Sequence, residues 1–316
     1  MPYMRAPLVS VIMPAFNAER FVDVAITSVL AQPVADVELI VVDDGSTDAT
    51  PDILAAWAAR DERVLIVRQS NRGVSAARNA AFARARGRWF ALLDADDEWT
   101  SEYLSIQIPT LERLRRGGVA TPNAYQRGGP QDGGLLRPGP ACIRQLRVRD
   151  LIDDDAAVCV MSLFGREVYD TIGGFDERLR HSEDYHFWIR AALAGFPIVQ
   201  RPEPLGWYRR HAASASSNER AMLDGMRVVL RETRTRCAGD PDLLRAIDAQ
   251  LRRCDREQYV LDGKRALMDG SFPDAAAAFA HAAKLDGSPK LRVVAFACRF
   301  APRSLRAVYG RRSSAV

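Results

Sequence analysis

The chain has 316 residues, of which 47% are hydrophobic and 27% charged, with a formal net charge of +4. That length allows one large domain or one domain with an appendage, and the composition is globular, excluding disordered and fibrous classes. The mild basicity suits an anionic ligand or an anionic membrane surface. No RNA- or DNA-reading motif is present, so no nucleic-acid partner is expected.

Cys142, Cys159, Cys237, Cys254 and Cys298 are scattered and contain no C-x-x-C pair. This argues against a disulfide framework or a zinc site and for a reducing, cytoplasmic compartment. The N-terminus runs straight into a strand pattern without an apolar signal region, and no window of ~18 apolar residues predicts a membrane span.

Short apolar runs at Val9–Met13, Val37–Val42, Val64–Val67 and Trp89–Leu93 read as parallel strands buried on both faces. Between them lie amphipathic segments. Val22, Ile26, Val29 and Leu30 have helical spacing, with Asn17 before them as N-cap. Thr50-Pro51 reads as N-cap and first helical position, and a third helix is predicted from Val74 to Arg86, ended by Gly87. The repeated βα pattern predicts an α/β fold with a mostly parallel sheet flanked by helices. The Gly- and Pro-rich stretch Tyr125–Pro140 reads either as a mobile surface loop or as a plain insertion. An apolar run from Val158 to Phe164, a loop-helix from Gly173 to Ala194, and strands near Ile198–Val199 and Leu205–Tyr208 follow.

Beyond His211 the pattern turns to charged helices, so residues 1–215 are expected as the main domain and 216–316 as a helical extension. Within it, Gly263, Ala266, Gly270, Phe272, Ala275, Phe279 and Ala282 have the spacing of one tetratricopeptide repeat, or of a simple helical hairpin. After Asp286 there is no acid, and Lys290, Arg292, Arg299, Arg303, Arg306, Arg311 and Arg312 interleave with apolar residues, interrupted by Pro302. Such a tail fits peripheral contact with an anionic bilayer, or a solvated arginine-rich end.

In a sheet of this kind ligands lie beyond the carboxyl ends of the strands. Pro14-Ala15-Phe16-Asn17, Asp43-Asp44-Gly45-Ser46, Asn71-Arg72-Gly73 and Asp94-Ala95-Asp96-Asp97 follow the four predicted strands. Asp94 and Asp96 read either as an ordinary acidic turn or, as i and i+2 of extended chain, as carboxylates projecting together in a hard oxygen site for Mn²⁺ or Mg²⁺. Asp43 and Asp44 read either as ligand contacts or as turn and capping residues. Arg78 reads as a phosphate contact or a structural ion pair. Glu183-Asp184 reads as helix capping or as the position of a general base. Trp188, one turn later, reads as core or as a sugar-stacking face.

Six segments in order, VSVIMPAFNAERFVDVAITSVLAQ, VELIVVDDGSTD, NRGVSAARNAAF, WFALLDADD, GGFDERLRHSEDYHFWIRAALAG and YRRHAASAS, resemble the family-2 glycosyltransferases of the GT-A fold. The resemblance covers roughly residues 8–215. It implies an inverting transferase using a nucleotide-sugar donor, usually a UDP-sugar, and a glycan or lipid-linked acceptor in cell-surface polysaccharide synthesis at the inner face of the membrane. By the same resemblance Pro14, Ala15 and Phe16 line the base pocket, and Asp44 or Asp43 hydrogen-bonds the base. Asn71, Arg72 and Gly73 lie near the nucleotide. Asp96 is the principal metal ligand, and Asp94 sits on the ribose or sugar. Gly173-Gly174 form an acceptor-side loop, Asp184 is the catalytic base, and His211 reaches the metal or the diphosphate.

Two other classes share part of this pattern. A sugar-phosphate nucleotidylyltransferase has a similar layout and acidic site but carries a glycine-rich basic signature where this chain has Pro-Ala-Phe-Asn. A non-catalytic nucleotide-sugar-binding protein would use the C-terminal helices as its contact surface.

Overall fold

A computed structural model describes residues 6–114, 117–129, 131–211, 214 and 218–313, with backbone alone for 310–313. Contacts divide the chain into two compact units, Met1–Ala213 and Ser214–Val316.

The first unit is built on a mixed sheet. Its strands are β1 (Val9–Ala15), β2 (Val37–Asp43), β3 (Val64–Arg68), β4 (Trp89–Leu92), β5 (Glu98–Trp99), β6 (Val119–Arg127), β7 (Arg144–Leu146), β8 (Leu163–Gly165) and β9 (Ile198–Arg209). The order is β3-β2-β1-β4-β8-β6-β9-β5, with β7 also on β9. The first four strands are mutually parallel, β8 runs against β4 and β6, and β9 is parallel to β6. The carboxyl ends of β1, β2, β3, β4, β6 and β9 therefore share one edge.

Among the described residues, seven helices accompany the sheet: α1 (Val22–Leu30), α2 (Thr50–Arg60), α3 (Val74–Phe82), α4 (Tyr103–Glu112), α5 (Val148–Asp153), α6 (Arg166–Ile172) and α7 (Glu183–Leu193). Strand side chains alternate between faces. Val9, Val11 and Met13 of β1, with Leu39 and Val41 of β2, join Ile26 and Val29 of α1 and Leu104 and Leu111 of α4 in one cluster. Residues of the other parity face α3, α6 and α7, where Phe90 of β4 meets Phe82 of α3 at 5.1 Å between ring centroids and Tyr169 of α6 at 5.8 Å. Both faces of β1 and β2 are covered, which is why the sequence there is almost continuously apolar.

Several boundaries differ from the sequence reading. Helix α3 ends at Phe82, not Arg86. Gly87 does not cap it; a Cβ there would lie 2.5 Å from the Ser10 backbone nitrogen, so the glycine permits a close approach to β1. Its N–H donates to Ser10 Oγ at 2.7 Å, and Ser10 Oγ in turn donates to the buried Glu38 carboxylate at 2.6 Å. Asn17 is not an N-cap either, because α1 starts five residues later; it adopts φ 49° and accepts from the Thr47 N–H. Thr50 lies inside α2, and its hydroxyl accepts from the Ala18 N–H. The two short strands predicted near residues 198 and 208 are one strand, β9, whose pairing with β6 shifts register twice near Pro204.

The stretch Tyr125–Pro140 has a defined path where described. Strand β6 continues through Arg127, and the chain folds back so that Leu136 N–H donates to Ala124 O and Gln126 N–H to Gly134 O. Buried Arg137 then donates to the carbonyls of Pro122 and Ala156.

The second unit consists of α8 (Glu219–Arg236), α9 (Pro241–Asp269), α10 (Phe272–Asp286), α11 (Pro289–Phe300) and α12 (Pro302–Ser313). The repeat-like interval is the α9–α10 hairpin. Gly270 closes α9 at φ 85°, and Gly263 lets the Phe279 ring pack where a Cβ would stand 3.0 Å from it. Leu267, Ala275, Phe279, Ala295 and Cys298 form the core of α9, α10 and α11. Pro302 starts α12 and so divides the basic tail into two helices; the side chains of Arg311 and Arg312 lie outside the described residues. None of the five cysteines is joined in a disulfide, and among the described residues no helix is long and apolar enough to cross a membrane.

Gly87→Ala should lower unfolding stability by about 1–3 kcal/mol, since the added methyl meets backbone rather than a yielding side chain. A urea titration would check this, with the midpoint falling at an unchanged slope.

Candidate active site

Three loops at the carboxyl edge are laced together by short polar side chains. Asn17 N–H donates to Ser46 Oγ at 3.0 Å, and Asp48 accepts from the Glu19 N–H at 3.1 Å. The next link is Asp44. Its Oδ1 accepts from Gln69 Nε2 and the Arg72 N–H, and its Oδ2 from the Gly73 N–H at 2.8 Å. The carboxylate of Asp44 therefore fixes the loop between β3 and α3. Asp43 Oδ1 accepts from the Ser46 N–H at 3.0 Å. Gly73 takes φ 91° as it enters α3, and Gly45 takes φ 78° with Asn71 N pressed against it. Phe16 stands half exposed above the buried Ala15, with Pro14 partly covered and Asn71 exposed.

The two acidic pairs meet through Arg78, which is only 1% exposed. Its Nη1 donates to Glu183 Oε1 at 2.7 Å and its Nη2 to Asp94 Oδ1 at 2.8 Å. The guanidinium also lies 5.0 Å from the Phe175 ring centroid. Burial disfavours the charge, but the fields of Asp94 and Glu183 outweigh it, and the Arg78 pKa rises. Asp184 lies beside this pair. Burial, then the like charge of Glu183, pushes its carboxyl up to about 7 against the pull of Arg78. Its Oδ1 accepts from the Tyr185 N–H at 2.7 Å.

The chain enters α7 through Ser182 at φ 60°; Ser182 and Asn17 are the two non-glycine residues with positive φ among the described residues. Both border the acidic edge, a common place for backbone held in a costly conformation.

Residues 94–97 form a turn, with Asp97 N–H donating to Asp94 O at 3.0 Å, so the extended i, i+2 geometry expected for Asp94 and Asp96 is replaced. Asp94 turns to Arg78, and Asp96 Oδ2 lies 3.0 Å from His211 Nε2. Burial and the charge of Asp94 raise the Asp96 pKa, partly offset by His211. Asp97 is buried, and its Oδ1 accepts from the Arg209 N–H at 2.8 Å; burial and its two acidic neighbours hold its pKa well above the ordinary range.

Three side chains at this end carry no role in the sequence reading. Arg209 Nε donates to Asp96 O at 2.8 Å, and its guanidinium lies 4.8 Å from the Phe21 ring centroid. Phe21 also stacks on His211, with centroids 5.0 Å apart. Glu98 pairs with Arg127 at 2.5 Å and lies 3.9 Å from Arg209. The i, i+2 spacing of Arg209 and His211 in a strand pattern was the available signal for the first of these.

Two expectations change. Trp188 is 1% exposed, packed against Phe164 and Phe187 at 5.5 and 5.0 Å between centroids, so it is core and offers no sugar-stacking face. The Gly173-Gly174 loop is held from below: Asn79 Oδ1 accepts from the Phe175 N–H, and Arg190 donates to the carbonyls of Ile172 and Gly174. Gly174 abuts Asn79, so its lack of a side chain answers to packing.

Arg78→Met should destabilise the protein by about 3–5 kcal/mol at neutral pH, because it removes the buried guanidinium that pairs Asp94 and Glu183. Arg78→Lys should recover part of this, since one ammonium cannot reproduce the two-pronged fork. Denaturant midpoints of the two variants would check both statements.

Comparison with known proteins identifies the family and the fold. The Glycosyl transferase family 2 profile matches residues 10–173. A Bacillus subtilis (strain 168) glycosyltransferase assigned to teichuronic acid biosynthesis, TuaG, is 34% identical over 218 residues, covering 67% of this chain and 83% of that protein. The Escherichia coli UDP-Glc:alpha-D-GlcNAc-diphosphoundecaprenol beta-1,3-glucosyltransferase WfgD is 30% identical over 67% of this chain and 81% of its own length. The hyaluronan synthase of Pasteurella multocida is 27% identical over 60% of this chain, but the match spans only 19% of that larger protein.

Among solved structures, S. aureus TarS 1–349 in complex with UDP-GlcNAc superposes with a TM-score of 0.63 at 17% identity, over 96% of this chain and 92% of that one. A Pyrobaculum calidifontis mannosyltransferase in complex with GDP-Man and Mn²⁺ gives 0.61 at 20% identity, over 97% and 85%. At such identities the structural likeness speaks for the fold. With the family profile and TuaG added, the chain belongs to the family 2 glycosyltransferases.

Proposed function

We propose that this glycosyltransferase moves a sugar, with inversion, from a nucleoside diphosphate sugar to a hydroxyl of a glycan or lipid-linked acceptor in cell-surface polysaccharide synthesis. The observation that carries the reading is the Arg78 bridge, which brings the aspartates after β4 and the acids that begin α7 to one place. A UDP-sugar is the donor class that best fits, by analogy with WfgD and with the TarS complex. Family membership leaves little ground for the nucleotidylyltransferase or binding-protein alternatives.

Roles follow from which groups are already engaged. Glu183 is held by Arg78, so Asp184 is the acid left to accept the acceptor proton. A carboxylate with its pKa near 7 is a far better base than an ordinary aspartate. The acceptor oxygen attacks the anomeric carbon as its proton passes to Asp184. The bond from that carbon to the diphosphate oxygen breaks on the opposite side, and the nucleoside diphosphate leaves with the electron pair. Asp43, whose Oδ1 alone is engaged with Ser46, and the exposed Phe16 are placed to meet the base, with Asn71 and Gly73 beside them. Arg209 stands by the turn as a positive group for the diphosphate.

Asp96 and His211 form an oxygen–nitrogen donor pair suited to Mn²⁺ or Mg²⁺, and burial together with the charge of Asp94 raises the Asp96 pKa, a cost that a cation relieves. When bound, such an ion neutralises charge on the departing diphosphate. Asp96 and His211 would hold it, while Asp94 stays turned to Arg78.

Asp184→Asn should fold and bind donor yet lose ~10²–10⁴-fold in transfer rate. In the parent enzyme kcat/KM should fall about tenfold per pH unit below pH 7, because the base works only when ionised. Near-normal transfer by the variant would remove Asp184 from its role. Asp96→Ala should abolish the Mn²⁺ dependence of UDP binding in calorimetry; equal affinity gains with Mn²⁺ in both proteins would contradict the metal assignment.

A further inference from the structure

Helix α11 carries two apolar stripes, where packing against a core needs one. Leu291, Val294, Ala295 and Cys298 pack toward α9 and α10. Val293, Phe296 and Phe300 point the other way and are 67%, 62% and 71% exposed. The two phenylalanine rings lie 4.3 Å apart, so they form one apolar surface rather than scattered residues. Exposed Lys290, Arg292 and Arg299 flank it, and Arg303 and Arg306 follow on α12. Asp286 is the last acid of the chain. A cavity of about 320 Å³ opens beside the stripe between α10 and α11, walled by Ala280, Ala283 and Ala295 and rimmed by Lys284, Arg292 and Arg299.

We propose that this face of α11 docks on an anionic lipid bilayer, with Phe296 and Phe300 entering the acyl boundary and Lys290, Arg292 and Arg299 meeting phosphate headgroups. Charge complementarity selects this occupant. A second copy would set one cationic face against another, since α11 and α12 carry no acid to pair with these bases. An anionic membrane offers both partners the stripe lacks: a dense negative plane and apolar volume beneath it. Aromatic insertion and basic attraction supply the two signals that stable but reversible attachment requires. Neither depends on the sugar-transfer site, so vesicle binding should survive Asp184→Asn unchanged.

Cosedimentation of the full chain with phosphatidylglycerol/phosphatidylcholine vesicles, against phosphatidylcholine alone, tests this at physiological salt. The expected result is at least ~10-fold preference for the anionic vesicles. Phe296→Ser/Phe300→Ser should reduce binding at least ~10-fold, and Arg292→Gln/Arg299→Gln should erase most of the lipid preference, on the order of 10-fold. Thermal melts of both variants should match the parent, because the replaced side chains are exposed. A parent chain that stays in the supernatant with anionic vesicles would overturn the proposal. So would a serine variant that sediments like the parent, or a dimer that the serine changes dissociate while vesicle binding persists.

Discussion

A buried guanidinium bridging two carboxylates from distant parts of the chain is the interaction on which the acidic edge depends. Arg78 lies on α3, Asp94 just after β4 and Glu183 at the start of α7. Removing a charge from water costs several kcal/mol, and only close, well-directed partners offset it. Arg78 therefore belongs where both carboxylates stand, and their positions are fixed in return. The consequence reaches Asp184, whose proton affinity is set by burial and by the like charge of Glu183 at its side, tempered by the same guanidinium.

The second constraint is the lacing of loops. Asp44 spends both oxygens on the chain between β3 and α3, and Asn17, Ser46, Asp48 and Thr50 tie the β1 and β2 ends together. The exposed Phe16 thus projects from a stiff frame, with Asp43 buried at the end of β2 in the same lacing. Preorganisation of this kind matters because a reacting geometry is sensitive to displacements of an ångström or less.

Strands β1, β2 and β4 were readable because double-sided burial writes itself as unbroken apolar runs, and the polar residues after them stood out by contrast; β3 has the same apolar run but is the edge strand, with Leu65 exposed, so its expected burial on both faces does not hold. The two-helix tail was readable from Pro302. Gly87 was misread as a helix stop because the close backbone approach that demands glycine there involves Ser10, far away in sequence. The same holds for Trp188, whose packing against Phe164 is known only once the fold is, and for Arg209, whose contacts with Asp96 and Phe21 are likewise long-range. The turn at residues 94–97 reversed an inference from extended geometry: the two aspartates diverge, one to Arg78 and one to His211. Local pattern named the acids; only tertiary contacts decide which of them stay available.

The most direct test is a double-mutant cycle between Arg78 and Glu183, using Arg78→Met, Glu183→Gln and the pair, followed by denaturant unfolding. If the guanidinium and the carboxylate support one another as described, the two changes should be coupled by about 1–3 kcal/mol, with the double variant less damaged than the sum of the singles. Additivity within about 0.5 kcal/mol would mean that the two groups act independently, and the account of a single acidic site joined by Arg78 would fail.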